Sequence, residues 1–364
     1  MINTDYDIKK IGRLKVELLV NGISYDDQFL EYYGQQDKYI EKRRAYGNSD
    51  EKEFAPYVKV PQEIILPGGL VVAVNQRNNS KWSLSYNNDN FVITDATEEI
   101  DITFPIRPKF YDSVLKDGTR VSRVVTLYGN ATLGIFSPGH CYYWNTGNEC
   151  KFCSLQPTRK KQSDHEMYIS PSKAKEAVRI CLETDPNRIE HILLNGGTIS
   201  DYDLGFTKHL EILESITELD LPKNIEIHLI SMPPKDFSLF ERLKNINATI
   251  AMDLEIFKEE IFNEVCPGKS NDYGRKNFFK AFESAVNILG EGNVYCGFVA
   301  GLEPIESLIE GMYLLGEMGV VPAVNVFHND PGSQFANYPR PSLSDILEIG
   351  YHMSIIYNKY NLKP

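Results

Sequence analysis

The sequence predicts an α/β fold, a partial (β/α)6 TIM-like barrel that follows a β-rich N-terminal accessory domain. From about residue 124 onward, short β-prone segments alternate with amphipathic helices in six units. Before that point, short strands are separated by Asn, Gly and Asp turns. Alternating βα units imply a parallel sheet with helices outside, and six units are too few for a closed eight-fold barrel. We therefore expect an accessory domain over residues 1–125, the barrel over residues 126–340 and a C-terminal helix over residues 341–364.

The accessory domain is predicted from short segments with period-2 hydrophobicity. These lie at residues 70–74, 82–86 and 91–94, and turn residues bound each of them. A charged stretch at residues 36–53 predicts a helix that runs into a solvated loop.

The barrel is predicted element by element from the same alternation. The expected strands lie at residues 132–136, 191–195, 225–230, 248–254, 294–299 and 320–327. The expected helices lie at residues 172–183, 204–219, 237–243, 274–289, 304–318 and 342–360. Ser170 followed by Pro171 is a favourable start for the first of these helices, because Ser caps and Pro suits the first turn. Functional side chains should then follow the carboxyl ends of the strands.

Composition and charge restrict the class of protein. Hydrophobic residues make up 42% and charged residues 24%, which excludes a disordered or coiled-coil chain. The net charge of −12 argues against binding to a nucleic-acid backbone. We see no apolar run of the ~20 residues that span a bilayer, and the polar start predicts no export segment. In the cytoplasmic protein that we expect, the six cysteines are thiols or metal ligands rather than disulfides.

Three cysteines form the most informative motif. Cys141, Cys150 and Cys153 have the spacing C-x8-C-x2-C in the loop after the first barrel strand. Clustered thiolates select iron–sulfur clusters or zinc. Because three cysteines leave one iron of a [4Fe–4S] cluster without a protein thiolate, that iron is open to a substrate or cosubstrate. The remaining cysteines show no such spacing: Cys181, Cys266 and Cys296.

This motif resembles that of the radical S-adenosylmethionine (SAM) superfamily, whose usual loop is C-x3-C-x2-C with an aromatic residue before the last cysteine. Phe152 has that aromatic position, and some branches have a long first gap, as this chain does. The resemblance implies a [4Fe–4S] cluster, bound SAM and an electron donor such as flavodoxin or ferredoxin. It implies reductive cleavage of SAM and hydrogen abstraction from a small-molecule or peptide substrate. The net charge and the lack of a long apolar run predict neither a nucleic-acid nor a membrane partner. In one similar branch, a tyrosine at the position of Tyr142 is a fourth cluster ligand; packing alone is the alternative for this tyrosine.

The resemblance also implies a set of SAM-binding residues. A Gly-Gly motif after the second strand would hold the amino group, and carboxylates on the fourth strand suit the ribose or the ammonium group. An arginine at a helix start suits the carboxylate, and a Gly-Leu-Glu segment would lie near the adenine. These positions are Asn195, Gly196, Gly197, Thr198, Asp253, Glu255, Arg275, Gly301 and Glu303. Taken alone, they also fit a turn, solvent-facing carboxylates and a surface arginine.

Residues that act on the substrate are harder to predict. The candidates are His228 on the third strand and Asn325, His328 and Asp330 at the end of the sixth, although single histidines are often structural. Two other classes of function stay open: a structural Cys3His zinc site that includes His140, and a barrel that only binds a ligand. Metal analysis distinguishes them, because the radical enzyme requires iron and sulfide.

Overall fold

The structure is a computed structural model that describes residues 7–40, 60–95, 97–161 and 166–363. Most of the charged stretch at residues 36–53 therefore lies outside the described residues.

The N-terminal part combines two helices with two small sheets. Its elements are α1 (Ile8–Asn21), β1 (Ser24–Tyr25), α2 (Asp27–Gly34), β2 (Glu63–Leu66), β3 (Leu70–Ala73), β4 (Ser83–Asn87), β5 (Asn90–Thr94) and β6 (Glu99–Asp101). One sheet has the order β1-β4-β5-β6, and β2 pairs with β3 as an antiparallel hairpin. The predicted strands are present, but this part is mixed rather than purely β-rich. Helix α1 forms because Ile11, Leu14 and Leu18 share one buried face and Asp7 caps its first turn.

The central sheet has seven strands in the order β13-β12-β11-β10-β9-β8-β7. These are β7 (Val125–Tyr128), β8 (Thr132–Phe136), β9 (His191–Asn195), β10 (Glu226–Ile230), β11 (Thr249–Ala251), β12 (Val294–Ala300) and β13 (Val320–Val326). The six strands from β8 to β13 are parallel, as the alternating pattern predicts. Strand β7 is an addition, because it pairs antiparallel with β8 at the edge of the sheet. The parallel arrangement brings the carboxyl ends of six strands to one edge.

Helices follow the strands, as expected. They are α3 (Tyr142–Thr146), α4 (Leu155–Lys161), α5 (Pro171–Thr184), α6 (Tyr202–Thr217), α7 (Phe240–Asn245), α8 (Glu259–Val265), α9 (Pro267–Asp272), α10 (Arg275–Leu289), α11 (Ile305–Glu317) and α12 (Leu343–Lys359). Ser170 caps α5 through a hydrogen bond from the Lys173 amide, and Pro171 is its first residue. The sequence did not predict α3, α4, α8 and α9, which all lie in the loops that follow β8 and β11.

The barrel core is rich in aromatic side chains. Phe278 and Phe282 of α10 are fully buried, as are Phe206 of α6 and Phe240 of α7. No described helix is both long enough and apolar enough to cross a membrane. Burial of these rings fixes the helices against the sheet and leaves the loops at its carboxyl edge to form a site.

Candidate metal centre

The three cysteines of the motif lie on one segment, residues 137–154, which follows β8 and which we call the cysteine loop. Cys141 precedes α3, and Cys150 and Cys153 follow it; all three are partly buried free thiols. Cys150 is close enough to both other thiols to disfavour their ionisation, and Cys141 has the same effect on Cys153. The fold therefore brings the three sulfurs into one neighbourhood at the carboxyl edge of the sheet.

The thiols of the cysteine loop are held protonated. Burial raises the pKa of Cys141, and burial raises the pKa of Cys153 to about 12. The neighbouring Cys266 thiol, followed by burial, raises the pKa of Cys150 well above its ordinary value. A metal group must therefore displace these protons when it binds, as metals that bind thiolates do.

Hydrogen-bond donors surround the sulfurs. The amide and hydroxyl of Thr198 lie beside the sulfur of Cys141. The Leu155 amide nitrogen is 3.5 Å from the Cys153 sulfur. The buried indole nitrogen of Trp144 lies beside Cys153. No described residue accepts a hydrogen bond of good geometry from this nitrogen. Donors of this kind stabilise thiolates, so the loop fits an iron–sulfur cluster bound through its cysteines.

The Asn195–Thr198 motif is built against the cysteine loop. The Ser137 amide donates to the Asn195 carbonyl oxygen over 2.8 Å, and the Tyr142 amide donates to the Thr198 carbonyl oxygen over 2.7 Å. Between them, the Gly197 amide donates to the Pro138 carbonyl oxygen over 2.9 Å. The motif thus continues β9 as a backbone ladder that holds the loop.

The two glycines of this motif are required by packing. A side-chain carbon on Gly196 would overlap the Ser137 carbonyl, and one on Gly197 would overlap the His140 carbonyl. A backbone this close excludes every other residue type. The close approach to the loop explains both glycines without a ligand, and the Gly197 amide is itself paired with the Pro138 carbonyl oxygen.

Two further contacts fix the ends of the cysteine loop. His209 of α6 donates from Nε2 to the Ser137 carbonyl oxygen over 2.8 Å, and its Nδ1 lies 3.0 Å from the Ser231 hydroxyl. Burial lowers the pKa of His209 to about 4, so the imidazole is neutral at pH 7. At the other end, the Ser154 hydroxyl donates to Asp330 over 3.0 Å. Asp330, a predicted substrate-site residue, therefore holds the end of the cysteine loop through a hydrogen bond.

The predicted carboxylates Asp253 and Glu255 are largely, but not fully, buried beside a lysine. Lys269 of α9 donates from Nζ to Glu255 Oε1 and to the Asp253 carbonyl oxygen, each over 2.7 Å. Burial raises the pKa of Glu255 to about 7, although the positive charge of Lys269 acts to lower it. Burial alone would lower the pKa of Lys269, but Glu255 and then Cys150 raise it, so this ammonium group lies near the cluster site. These contacts disfavour the alternative of solvent-facing carboxylates, and they add Lys269 as a candidate site residue for which the sequence contains no ligand spacing.

Arg275 and Glu303 shape a different part of the molecule. The Arg275 guanidinium lies 4.6 Å and 4.8 Å from the ring centres of Phe257 and Phe279, and its Nε donates to the Phe257 carbonyl oxygen. Glu303 accepts from the amides of Phe257 and Lys258 over 2.8 Å and 2.9 Å. Of the described residues that line the cleft of about 430 Å³ at Arg275, none belongs to the cysteine loop. Both side chains therefore hold the chain after β11, and the structure does not bring Arg275 to the cysteines.

The other predicted site residues at the carboxyl end of the sheet lie in different environments. Gly301 has a positive φ of 103° and packs against Pro341. Asn325 is exposed on β13. His328 Nε2 lies 3.2 Å from Asn75 Nδ2, which joins the barrel end to the N-terminal part.

His228 lies at the opposite end of the sheet from the cysteine loop. It lines a cavity of about 840 Å³ with residues that begin the strands β9, β10, β11 and β12. Its Nδ1 is 2.6 Å from the Thr249 hydroxyl, and its ring packs against His191 and Tyr295. Burial, and then His191, lowers the pKa of His228 to about 4. This position separates His228 from any chemistry at the cysteines.

The zinc alternative finds no matching geometry. The His140 ring faces Tyr168, whose hydroxyl lies 3.2 Å from its Nε2. In the part of the chain that the structure describes, no three His, Cys, Asp or Glu side chains converge on one ion. Zinc requires such convergence, with sulfurs at about 2.3 Å, whereas a cluster binds each cysteine through a different iron.

Comparison with known proteins gives one distant curated relative and several solved structures of low similarity. No protein-family model matches the chain. The chain is 26% identical over 260 residues to a bacteriochlorophyllide c C-7(1)-hydroxylase from Chlorobaculum limnaeum, a match that covers 68% of this chain. The chain spans 64% of the length of that relative.

Solved structures with a similar arrangement include a radical SAM methyltransferase from Sphaerobacter thermophilus. It has a TM-score of 0.47 and 13% identity, and the match covers 64% of this chain and 66% of the methyltransferase. An [FeFe]-hydrogenase maturase from Carboxydothermus hydrogenoformans has a TM-score of 0.44 and 20% identity, with 66% and 55% of the two chains covered. One of these structures is described as a radical SAM methyltransferase, and the cysteine motif of this chain resembles the same superfamily. The roles of the individual site residues stay predictions.

Proposed function

We propose that this chain is a radical SAM enzyme, which cleaves SAM reductively and abstracts hydrogen from a small-molecule substrate. The observation that carries the proposal is the cysteine loop itself. Its three thiols lie near one another at the carboxyl edge of a parallel sheet, and donors from Thr198, Trp144 and Leu155 lie beside two of the sulfurs. A peptide substrate, presented by the N-terminal part, is the alternative.

The residues of the site have distinct roles in this proposal. Cys141, Cys150 and Cys153 would hold a [4Fe–4S] cluster, which when bound supplies the electron for SAM cleavage and leaves one iron for SAM. Tyr142 would be its fourth protein ligand only where SAM does not occupy that iron. The remaining residues of the site would orient SAM and the substrate, and they would exclude water.

The polar wall beside the cysteines suits the rest of the cosubstrate. We assign SAM binding to the backbone of Asn195–Thr198 and to the group formed by Asp253, Glu255 and Lys269. The amides of the first set lie against the cysteine loop, and the second set is buried next to Cys150. Arg275 and Glu303 have no such position, and we leave them out of the assignment.

The substrate is a proposal on chemical grounds. The related hydroxylase is named for hydroxylation of bacteriochlorophyllide c at C-7(1), which is consistent with attack at a C–H bond of a small molecule. The cluster must receive its electron from a protein donor such as flavodoxin or ferredoxin. The docking surface of that donor must not be repelled by a chain of net charge −12.

Anaerobic reconstitution tests the proposal. The purified chain is loaded with iron and sulfide, reduced with dithionite and given SAM. We expect about four irons with matching sulfide per chain and formation of 5′-deoxyadenosine. Cys150→Ala should lose both, whereas Cys181→Ala, which removes a buried thiol of α5, should keep both. A bound zinc in place of iron, or product formation that survives Cys150→Ala, would refute the assignment.

A further inference from the structure

The amino-terminal end of the parallel sheet, opposite the cysteine loop, contains an open polar cavity. Its volume is about 840 Å³, which lies in the usual range for small-molecule pockets. The interior of a complete barrel is filled by bulky branched side chains. Here the strand residues that face the cavity include His191, Glu226, His228, Thr249 and Tyr295. The space is therefore lined by groups that form hydrogen bonds, and apolar packing does not close it.

Strand register brings these side chains together. His191 is the register partner of Glu226, and His228 is the register partner of Thr249. Because side chains alternate along a strand, Glu226 and His228 lie on one face of β10. The ring centre of His228 is 5.9 Å from that of His191 and 5.1 Å from that of Tyr295. Two imidazoles, a carboxylate and a phenol thus form one group at the cavity wall.

This wall has hydrogen-bonding capacity that its own contacts do not use. His228 Nδ1 lies 2.6 Å from the Thr249 hydroxyl, which leaves Nε2 for another partner. Burial lowers the pKa of His228 to about 4 and also lowers the pKa of His191, so both rings are neutral at pH 7. Among the residues that the structure describes, none forms an ion pair with Glu226. The wall therefore offers a neutral imidazole and a carboxylate without a counter-ion.

Charged side chains of both signs surround the cavity. They are all exposed, and they are Lys223, Lys244, Lys363, Glu226 and Glu291. Lys244 also lies 3.9 Å from Glu241 at the surface, so Lys223 and Lys363 are the less committed ammonium groups. A simple anion would meet two carboxylates here, and a simple cation would meet three ammonium groups. A molecule that carries both charges can pair with both sets.

We propose that this cavity is a second ligand site, which binds a small zwitterion of the amino-acid class. The ammonium group of the ligand donates to Glu226 and to His228 Nε2, and its carboxylate pairs with Lys223 or Lys363. None of the described residues that line the cavity belongs to the cysteine loop, so the ligand is held apart from the chemistry there. The inference therefore does not depend on the proposed function.

Ligand-induced stabilisation of the full chain tests this inference. Each of the twenty L-amino acids is added singly at millimolar concentration, because a ligand that binds only the folded state raises the midpoint of thermal unfolding. Calorimetric titration then gives the Kd of the amino acid with the largest shift. Its N-acetyl and carboxamide derivatives are matched probes, since each lacks one of the two charges. We expect each derivative to bind roughly tenfold more weakly.

Two variants locate the binding. Glu226→Gln removes the carboxylate charge with little change in size, and the double variant Lys223→Met/Lys363→Met removes the opposite charge. We expect each to bind the amino acid roughly tenfold more weakly, with an unfolding midpoint close to that of the unmodified chain when no ligand is present. Glu348→Gln changes an exposed carboxylate of α12 outside the cavity and should bind normally.

The inference would be overturned by any of three results. The first is that no amino acid stabilises the chain, and the second is that the zwitterion and its two derivatives bind equally well. The third is full affinity in Glu226→Gln, which would place the amino acid elsewhere, for example where the methionyl part of SAM binds. Tighter binding of inorganic phosphate than of any amino acid would make the cavity an anion site and would also contradict the proposal.

Discussion

The α-carbon of Gly197 packs against the carbonyl of His140 so closely that a side-chain carbon at position 197 would overlap that oxygen. The same carbon would lie 2.7 Å from the Cys141 amide nitrogen. The second βα loop therefore sets the path of the backbone that leads into the first cysteine.

Gly197→Ala should displace the cysteine loop. Because backbone atoms leave no room for the new methyl group, we expect a loss of about 1–3 kcal/mol in the free energy of unfolding. We also expect most of the bound iron and sulfide to be lost on reconstitution. Urea unfolding and metal analysis of the same preparation measure the two effects.

Gly350→Ala is the matched control for that substitution. Gly350 lies inside α12, and nothing lies within 4 Å of its added carbon. Alanine in a helix interior is better than glycine by about 0.5–1 kcal/mol, so this variant should gain stability and keep its iron. Unchanged stability and iron content in Gly197→Ala would contradict the packing argument.

His209 should make the protein less stable at acidic pH. Its pKa is about 4 in the folded chain and 6.5 ordinarily, because burial disfavours the charged ring. Between those values the unfolded chain binds a proton that the folded chain does not. Stability is therefore fully present above pH 6.5 and lost as the pH falls toward 4, by up to about 3 kcal/mol. His228 acts in the same direction.

The measurement is urea unfolding of the unmodified chain and of His209→Gln from pH 8 to pH 5. Glutamine can still bond the Ser137 carbonyl but does not titrate. We expect a flatter dependence of the unfolding free energy on pH in the variant. Parallel curves for the two proteins would mean that the His209 ring is not buried as described.

Lys269→Met should be strongly destabilising. It leaves Glu255 without its ammonium partner in a buried position, and breaking such a pair costs about 3–5 kcal/mol. Lys208→Met breaks an exposed pair with Glu211 and should cost at most about 1 kcal/mol. The double variant Lys269→Met/Glu255→Gln should recover part of the loss in thermal unfolding. Equal effects of the Lys269 and Lys208 variants would argue that the Glu255 pair is hydrated.

Trp144→Phe should weaken retention of the cluster. The indole nitrogen is buried beside the Cys153 sulfur, and a hydrogen bond to a charged group contributes about 1.5–3 kcal/mol. We expect iron loss to a chelator to be roughly tenfold faster, since about 1.4 kcal/mol corresponds to that factor. Trp82→Phe, which changes the other tryptophan in the N-terminal part, should leave the rate unchanged. Equal rates in both variants would exclude a donor role for Trp144.

Much of the barrel follows from local sequence. The strand Thr132–Phe136 and the helix that Ser170 caps were predicted within a residue or two, because hydrophobic period and capping chemistry act over a few residues. Helix α1 had the same kind of pattern at Ile11, Leu14 and Leu18, but the strands around it led to a β-rich interpretation. Strand β7 has no such signal, because its place depends on the edge of β8.

The site divides in the same way. The sequence predicted the three cysteines from their spacing, the glycine pair from the resemblance, and Asp253 and Glu255 from their shared face of the fourth strand; their roles stay predictions. Arg275 matched the same resemblance, yet in the fold its guanidinium is held between Phe257 and Phe279. A pattern of residues in the chain does not say which aromatic rings an arginine will meet.

By itself, then, the sequence determined the βα order and predicted the three clustered thiols and the kind of chemistry that they favour, since each depends on residue types at short spacing. The tertiary structure decided that Lys269 is buried with Glu255, that Gly197 packs against His140 and that His228 lies at the opposite end of the sheet. Those contacts join residues from different loops and strands. They exist only because parallel strands bring their ends to a common edge, where the packing of loop on loop selects the neighbours.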